Sequence, residues 1–226
     1  MKIIAVQGSR GGSGKGTLSR LIALGAAKEG VQVVMLATDG SRSAQVDDPN
    51  RPFAIADATP PVNDPTDFTK LTNIFNQYLN AYQHEKVLMV IDGAASQAMT
   101  DFWIAEHVDI AIICVLADAD SVRCLERTWS GFEKAQYRMI ALNQVVNSEG
   151  WRNDSAMYIE KFPVKPSIQI PLHRQFVHLS DDVWRNDSNV NRAARRIFIS
   201  LEPRLGWSTV AEAKEKIAAL EPAKIN

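Results

Sequence analysis

The chain has 226 residues, of which 46% are hydrophobic and 23% are charged, a balance typical of a packed protein of one or two domains and not of a disordered or fibrous chain. Its 25 Lys and Arg residues nearly balance its 26 Asp and Glu residues, so any site for a polyanion must be local. The apolar runs are far shorter than the roughly 20 residues of a membrane span, and the first residues lack the features of a cleavable signal, so we expect a cytoplasmic protein.

Short apolar runs alternate with longer stretches of helical periodicity, which is typical of buried parallel strands joined by crossover helices. We predict six strands, at residues 3–6, 33–36, 87–91, 110–116, 139–142 and 167–170. We predict helices at residues 15–29, 67–83, 99–106 and 118–135, and three more after Pro171. The predicted fold class is α/β: one domain over residues 1–226, with a doubly wound, mostly parallel sheet, helices on both faces and a helical part from about residue 172.

A long stretch from Gly40 to Pro65 interrupts this alternation and contains five prolines. Loops of this length in a compact domain commonly carry function. We therefore predict a surface loop after the second strand that acts as a switch.

One pentapeptide occurs twice, as Trp151–Ser155 and as Trp184–Ser188. Asn, Asp and Ser favour the N-cap position of a helix, because their side chains accept hydrogen bonds from free backbone N–H groups. We interpret both copies as helix N-termini; the alternative is two equivalent docking tips for a partner.

A glycine-rich segment, QGSRGGSGKGT from Gln7 to Thr17, follows the first predicted strand and leads into an amphipathic helix. Glycines allow backbone N–H groups to converge on an anion, and the helix N-terminus adds partial positive charge. A lysine at this position can reach the β- and γ-phosphates of a nucleotide. The segment predicts a P-loop for a nucleoside triphosphate, with binding residues Gly11, Gly12, Ser13, Gly14, Lys15, Gly16 and Thr17.

Two positions depart from the usual P-loop pattern. Ser9 stands where the first glycine belongs, and Gly16 stands where a serine or threonine ordinarily binds Mg²⁺. Thr17 comes one residue late. Either Thr17, a water molecule or carboxylates elsewhere must therefore complete the magnesium shell.

The residues from Arg10 to Thr17 resemble the deviant Walker A motif of the ParA/MinD family of P-loop ATPases. In that family a lysine before the double glycine reaches across a dimer to the partner's nucleotide, and Arg10 occupies that position here. Arginine keeps the charge but presents it as a planar fork. The resemblance implies an ATPase that binds ATP and ADP with Mg²⁺, and it implies catalytic roles for Arg10 and Lys15.

Two aspartates extend the resemblance. The stretch from Val34 to Asp39 resembles the strand that ends in the family's switch I aspartate, so Asp39 is expected to orient the attacking water and to lie near the metal. The stretch from Val90 to Gly93 resembles the Walker B strand, so Asp92 is expected to hold Mg²⁺ through water, with Thr17 as a further metal ligand.

Two later segments resemble the part of the family that binds the base. The strand from Met139 to Asn143 resembles the one whose asparagine contacts the adenine. The stretch from Ile170 to Leu172 resembles the loop that closes over the base. The resemblance thus places Asn143 and Pro171 in the nucleotide site.

The family implies an ATP-dependent dimerisation switch with slow hydrolysis. Its members position or segregate DNA, in plasmid partition, plasmid stability or conjugation, or they position another cargo. The implied partners are a second copy of the chain, a protein that stimulates hydrolysis or acts as an adaptor, and non-specific DNA.

Arg192, Arg195 and Arg196 fall at i, i+3 and i+4 of a predicted helix and form a basic stripe. Such a stripe can bind DNA phosphates without reading bases, and the alternative is a solvated helix face. The predicted last helix, residues 208–220, carries balanced charges and little apolar bulk, which argues against a membrane anchor.

Two other functions stay open at the level of the sequence. The run Gly14–Thr17 also resembles the P-loop of nucleoside monophosphate kinases, in which glycine follows the lysine, although no arginine-rich lid segment is evident. The combination of Arg10, Gly16 and Ala37 is also compatible with an ATP-binding adaptor that hydrolyses little.

Overall fold

The computed structural model of the chain describes residues 1–8, 11–38, 51–61, 63–64, 67–82, 85–93, 103–146, 148–171 and 188–220. The strands within these ranges are β1 (Lys2–Gly8), β2 (Gln32–Ala37), β3 (Ala54–Asp57), β4 (Val87–Asp92), β5 (Ile110–Val115), β6 (Tyr137–Val145) and β7 (Ile168–Pro171). The helices of more than two turns are α1 (Lys15–Lys28), α2 (Thr69–Ala81), α3 (Ala119–Gly131), α4 (Glu149–Ile159), α5 (Ser188–Leu205) and α6 (Val210–Ala219).

These strands form one parallel sheet in the order β3-β2-β4-β1-β5-β6-β7. Strand β1 lies in the middle, where Val6 is opposite Asp92 of β4 and Gly8 is opposite Cys114 of β5. All strands end at the same edge, so the segments that follow β1 and β4 meet there. Crevices at such an edge are the usual ligand sites of open α/β sheets.

Helices cover both faces of the sheet, which confirms the predicted doubly wound α/β fold. Residues of β1 alternate between the faces, because Ile4 and Val6 pack with α1 and α5 whereas Ile3 and Ala5 pack with α2. A third cluster joins β5 and β6 to α3 and α4. Burial on both faces explains why the central strands are continuous apolar runs and not alternating ones.

Helices α1 and α5 pack unusually closely. A Cβ added to Gly25 of α1 would lie 2.1 Å from the main-chain oxygen of Ala194 in α5. Nearby, Arg195 of α5 donates a hydrogen bond of 2.6 Å to Glu29, the C-cap residue of α1. The helix that begins at the glycine-rich segment is thereby fixed to α5.

The six predicted strands are present, but the prediction of an unbroken loop from Gly40 to Pro65 was wrong in part. Ala54–Asp57 forms β3, an edge strand that pairs with β2. The strand is short and has prolines on both sides, so its sequence pattern did not indicate a strand. Prolines are tolerated at a sheet edge. Asp57 accepts a hydrogen bond from Lys70 of α2. Partial burial acts to raise the pKa of Asp57, but the hydrogen bonds from Lys70 and Thr59 have the larger combined effect and lower the pKa to about 2. Residues 40–50 lie outside the described ranges.

The interpretation of the repeated pentapeptide as two N-caps was wrong for the first copy. Trp151–Ser155 lies inside α4, whose N-cap is Ser148, since the Ser148 hydroxyl accepts from the backbone N–H of Trp151. The periodicity of this short helix is weak, so α4 was absent from the predicted helices. The second copy lies outside the described residues except for Ser188, with which α5 begins.

The longer predicted helices are present as α1, α2 and α3, and residues 103–105 of the predicted helix at 99–106 are helical. Of the helices predicted after Pro171, the described residues contain α5 and α6. None of the helices in the described ranges has the length and the apolar character that crossing a membrane requires.

We expect Gly25→Ala to lower the free energy of unfolding by about 1–3 kcal/mol, because the added methyl group meets a main-chain atom that cannot turn away. The matched control is Gly150→Ala in α4, where a Cβ meets nothing within 4 Å and the gain in helix propensity should stabilise by up to about 1 kcal/mol. Urea unfolding of both variants measures the difference. A Gly25→Ala protein as stable as the control would contradict the close helix contact.

Candidate functional site

The turn between β1 and α1 presents an anion-binding geometry. Gly14 is the N-cap of α1, with φ of 95°, and it carries no side chain that could bond the first N–H groups of the helix. The first turn of α1 contains no acidic residue and begins with Lys15. These N–H groups and the positive end of the helix dipole therefore remain available to an external anion.

The glycine-rich turn folds back tightly over the end of β1. A Cβ at Gly8 would lie 2.3 Å from the Ser13 hydroxyl oxygen and 2.7 Å from the Lys15 side chain. Lys15 is 9% exposed, so its stem is buried over the strand end, whereas Gly11 and Gly12 are exposed at the tip of the turn. Gly8, which was absent from the predicted binding residues, is required by this close approach, and its position at the end of a buried strand was the available signal.

Asn143 at the end of β6 is bonded to the turn. Its Nδ2 donates to the main-chain oxygen of Ser13 at 3.1 Å, and a Cβ at Gly14 would lie 1.9 Å from that nitrogen. Gln144, which follows, has a φ of 57°, and the pairing of β6 with β7 shifts there. Pro171 ends β7 opposite Val145, so both residues predicted to contact the base lie at the same edge of the sheet.

Asp92 ends β4 beside the first turn of α1 and is 2% exposed. Its Oδ1 accepts a hydrogen bond of 3.1 Å from Ser19, and its Oδ2 would lie 3.4 Å from a Cβ at Gly16. Its main-chain oxygen accepts from both the backbone N–H (3.2 Å) and the hydroxyl (3.0 Å) of Thr38. The carboxylate is thus held by Ser19 of α1, and the main chain of Asp92 is held by Thr38.

Charged residues at this edge of the sheet affect the pKa of Cys114, which lies near the end of β5. Complete burial raises the pKa of the Cys114 thiol, the nearby Asp92 carboxylate raises it further, and Lys15 acts in the opposite direction. One carboxylate and one ammonium group therefore act on the same buried position.

Gln7 is a buried polar residue that sequence reasoning left unexplained. It is 1% exposed, and neither its Oε1 nor its Nε2 has a hydrogen-bond partner among the described residues. A Cβ at Gly93 would lie 2.0 to 2.2 Å from the atoms of this amide, so Gln7 fills the space beside Gly93. A polar residue at the end of an apolar strand was the signal for its place at the site.

The structure brings together most of the predicted site residues. Lys15, Thr17, Asp92 and Asn143 lie around the turn, with Thr17 partly exposed in the first turn of α1. Arg10 and Asp39 lie outside the described residues.

The predicted basic stripe on α5 is divided by its surroundings. Arg192 and Arg196 are exposed, whereas Arg195 is partly buried in its ion pair with Glu29. The stripe therefore presents two exposed arginines about one helical turn apart, and its third faces α1.

The chain is similar to several solved structures over nearly its whole length. MinD from Pyrococcus horikoshii, complexed with Mg-ADP, has a TM-score of 0.65 and 13% identity, covering 92% of this chain and 99% of that chain. A ParA family ATPase from Chlorobium tepidum has a TM-score of 0.59 and 15% identity, covering 90% and 97%. The MinC:MinD complex from Aquifex aeolicus has a TM-score of 0.58 and 14% identity, covering 100% and 98%.

No family model matches the sequence, and no curated protein matches it significantly. At these identities the structural likeness establishes the fold, and the chain has the fold of the MinD and ParA ATPases. The resemblance inferred from the glycine-rich segment is confirmed at that level.

We expect Gly14→Ala to destabilise the protein more than Gly12→Ala. Both glycines have positive φ, 95° and 75°, so an alanine at either position carries a similar backbone cost of about 1–2 kcal/mol. Only the methyl group at residue 14 also meets Asn143.

A double-mutant cycle measures this contact through urea unfolding. In Gly14→Ala/Asn143→Ala, the steric part should disappear, so the cost should be smaller than the sum of the two single costs. Equal losses of stability in Gly12→Ala and Gly14→Ala, or strictly additive losses in the cycle, would show that Asn143 does not contact a methyl group at residue 14.

Proposed function

We propose that this chain is an ATPase of the ParA/MinD type that works as an ATP-dependent dimerisation switch with slow, Mg²⁺-dependent hydrolysis. Its task is to position or segregate DNA, as in plasmid partition, plasmid stability or conjugation, or to position another cargo. The observation that carries this proposal is the glycine-rich turn, with Lys15 over the end of β1 and Asp92 on the adjacent strand end, in a MinD/ParA fold. The proposed unit is one cytoplasmic domain over residues 1–226, helical from about residue 172.

The phosphates of ATP or ADP are proposed to bind in the turn from Gly11 to Thr17. The N-terminus of α1 attracts the anion, and the first turn of α1 itself contains no acidic residue. Lys15 supplies the positive charge for the β- and γ-phosphates and stabilises the charge that develops during transfer.

The residues around Asp92 fit a magnesium ion. Mg²⁺ prefers oxygen ligands and usually retains several waters between one or two carboxylates and the nucleotide phosphates. Asp92 presents a buried carboxylate whose Oδ2 is directed towards the first turn of α1, and Thr17 offers a hydroxyl in that turn. The bound ion would neutralise charge on the phosphates during hydrolysis.

Hydrolysis is proposed to use Asp39 to orient the attacking water and Arg10 to stabilise the charge across the dimer, in a deviant Walker A arrangement. Thr38, which precedes Asp39 in the sequence, is hydrogen-bonded to the main-chain oxygen of Asp92, so the chain leaves β2 beside the proposed magnesium site. The proposal assigns the adenine to Asn143 and Pro171. The Nδ2 of Asn143 is bonded to Ser13, so its Oδ1 is the atom offered to the amino group of adenine.

The proposed partners are a second copy of the chain in the ATP state, a protein that stimulates hydrolysis or serves as an adaptor, and non-specific DNA. The exposed Arg192 and Arg196, with Arg195 beside them, are the proposed contacts to DNA phosphates. Contacts of this kind carry no sequence information and weaken steeply with salt.

The solution mass in different nucleotides tests the switch. We expect a monomer with ADP and a doubled mass with ATP and Mg²⁺, measured by light scattering on a sizing column. Asp39→Ala should remain doubled in ATP without hydrolysis, and Lys15→Ala should neither bind nucleotide nor double. A monomer in both nucleotides, with binding demonstrated, would replace the switch by an ATP-holding adaptor or a phosphotransferase.

The salt dependence of DNA retention tests the basic stripe. We expect Arg192→Ala/Arg196→Ala to weaken binding to random duplex DNA and to reduce the slope of log K against log salt by about 2. Arg195→Ala should change DNA binding less and lower stability, because Arg195 is paired with Glu29. Arg123→Ala, an exposed arginine on α3, is the control. An unchanged slope in the double variant would show that Arg192 and Arg196 belong to a solvated helix face and do not bind DNA phosphates.

A further inference from the structure

The glycine at position 16 removes an oxygen from the place where a P-loop usually offers one. In P-loop ATPases the hydroxyl after the lysine binds Mg²⁺ together with the aspartate on the neighbouring strand. With Gly16, Asp92 faces the first turn of α1 without a hydroxyl at that position. Something else must fix the orientation of the carboxylate if it is to serve a metal.

Ser19, one turn further along α1, makes that contact. It is completely buried, and its hydroxyl lies 3.1 Å from Asp92 Oδ1 and 3.0 Å from the main-chain oxygen of Lys15. The hydroxyl has a single proton, so these two acceptors compete for it, and the charged carboxylate is the stronger acceptor. The contact with Asp92 crosses from α1 to β4, between residues 73 positions apart in the sequence.

The two oxygens of Asp92 are therefore divided between two directions. Oδ1 is bonded to Ser19, and Oδ2 would lie 3.4 Å from a Cβ at Gly16. This division leaves Oδ2 directed at the turn where phosphates and Mg²⁺ are proposed to bind. A carboxylate held by such a neighbouring hydroxyl binds a metal better than one that rotates freely, because its orientation is already set.

We infer that Ser19 is a positioning residue for magnesium, in compensation for the missing hydroxyl at Gly16. Ser19 does not touch the metal; it holds Asp92 so that Oδ2 meets the ion or its water. This inference rests on the proposed function, since it assumes that nucleotide binds with Mg²⁺ at this turn.

The inference is tested by how much Mg²⁺ strengthens nucleotide binding, independently of hydrolysis. A fluorescent ATP analogue is titrated with and without Mg²⁺ into the full chain and into Ser19→Ala. We expect the affinity without Mg²⁺ to stay within about twofold, and the Mg²⁺ concentration needed for the strengthened affinity to rise roughly tenfold, as is typical when a residue that orients a metal ligand is removed.

Gly16→Ser provides the rescue. At 3.4 Å from Oδ2, a Cβ at residue 16 is in ordinary contact, so a serine there can supply the missing hydroxyl beside Asp92. Ser19→Ala should therefore weaken the magnesium response much less in the Gly16→Ser background than in the unaltered chain, with Gly16→Ser alone as the reference. The matched control is Ser155→Ala, another buried serine, whose hydroxyl bonds only within α4 in the described structure, to Arg152.

The outcomes separate this inference from the proposed function. An unchanged magnesium response in Ser19→Ala overturns the role of Ser19 alone. Equal weakening with and without Mg²⁺, without rescue by Gly16→Ser, shows that Ser19 only shapes the turn and also overturns it. Absence of nucleotide binding by the unaltered chain overturns the proposed function together with this inference. Thermal unfolding of each variant establishes that it is folded.

Discussion

The close approach of α1 to the ends of three strands is the constraint on which the rest of the site depends. The helix begins directly above β1, touches β4 through Ser19 and Asp92, and is reached from β6 by Asn143. The approach to β1 and the contact from β6 each need a glycine, at Gly8 and Gly14, because a side chain at either position would occupy the space of its neighbour. The glycines of this segment thus serve two purposes. They leave the backbone accessible to an anion, and they allow α1 to pack closely on the edge of the sheet.

Most of the fold could be predicted because its central strands are buried on both faces. Such strands form continuous apolar runs, which stand out against the periodic helices between them. Strand β3 could not be recognised, since four residues at an edge, with prolines nearby, carry too little pattern. Helix α4 was missed for a related reason: only Ser155 is buried along its length, so its apolar periodicity is weak.

The site could be predicted where one segment carries the chemistry and not where two segments meet. Lys15 and Asp92 were found because each belongs to a local pattern of strand, glycine and charge. The bonds from Asn143 to Ser13 and from Ser19 to Asp92 join residues 130 and 73 positions apart, and no local pattern indicates them. The orientation of Arg195 was invisible for the same reason, since helical spacing places three arginines on one side but does not show that Glu29 lies opposite one of them.

The burial of Cys114 has a consequence for the chemical durability of the site. Thiols react with oxidants and alkylating reagents as thiolates, and burial together with the neighbouring Asp92 raises the pKa of this one. Cys114 is also completely buried, opposite Gly8 in the sheet. The site therefore contains a sulfur atom close to the glycine-rich turn, and burial in the folded protein protects this sulfur from oxidation.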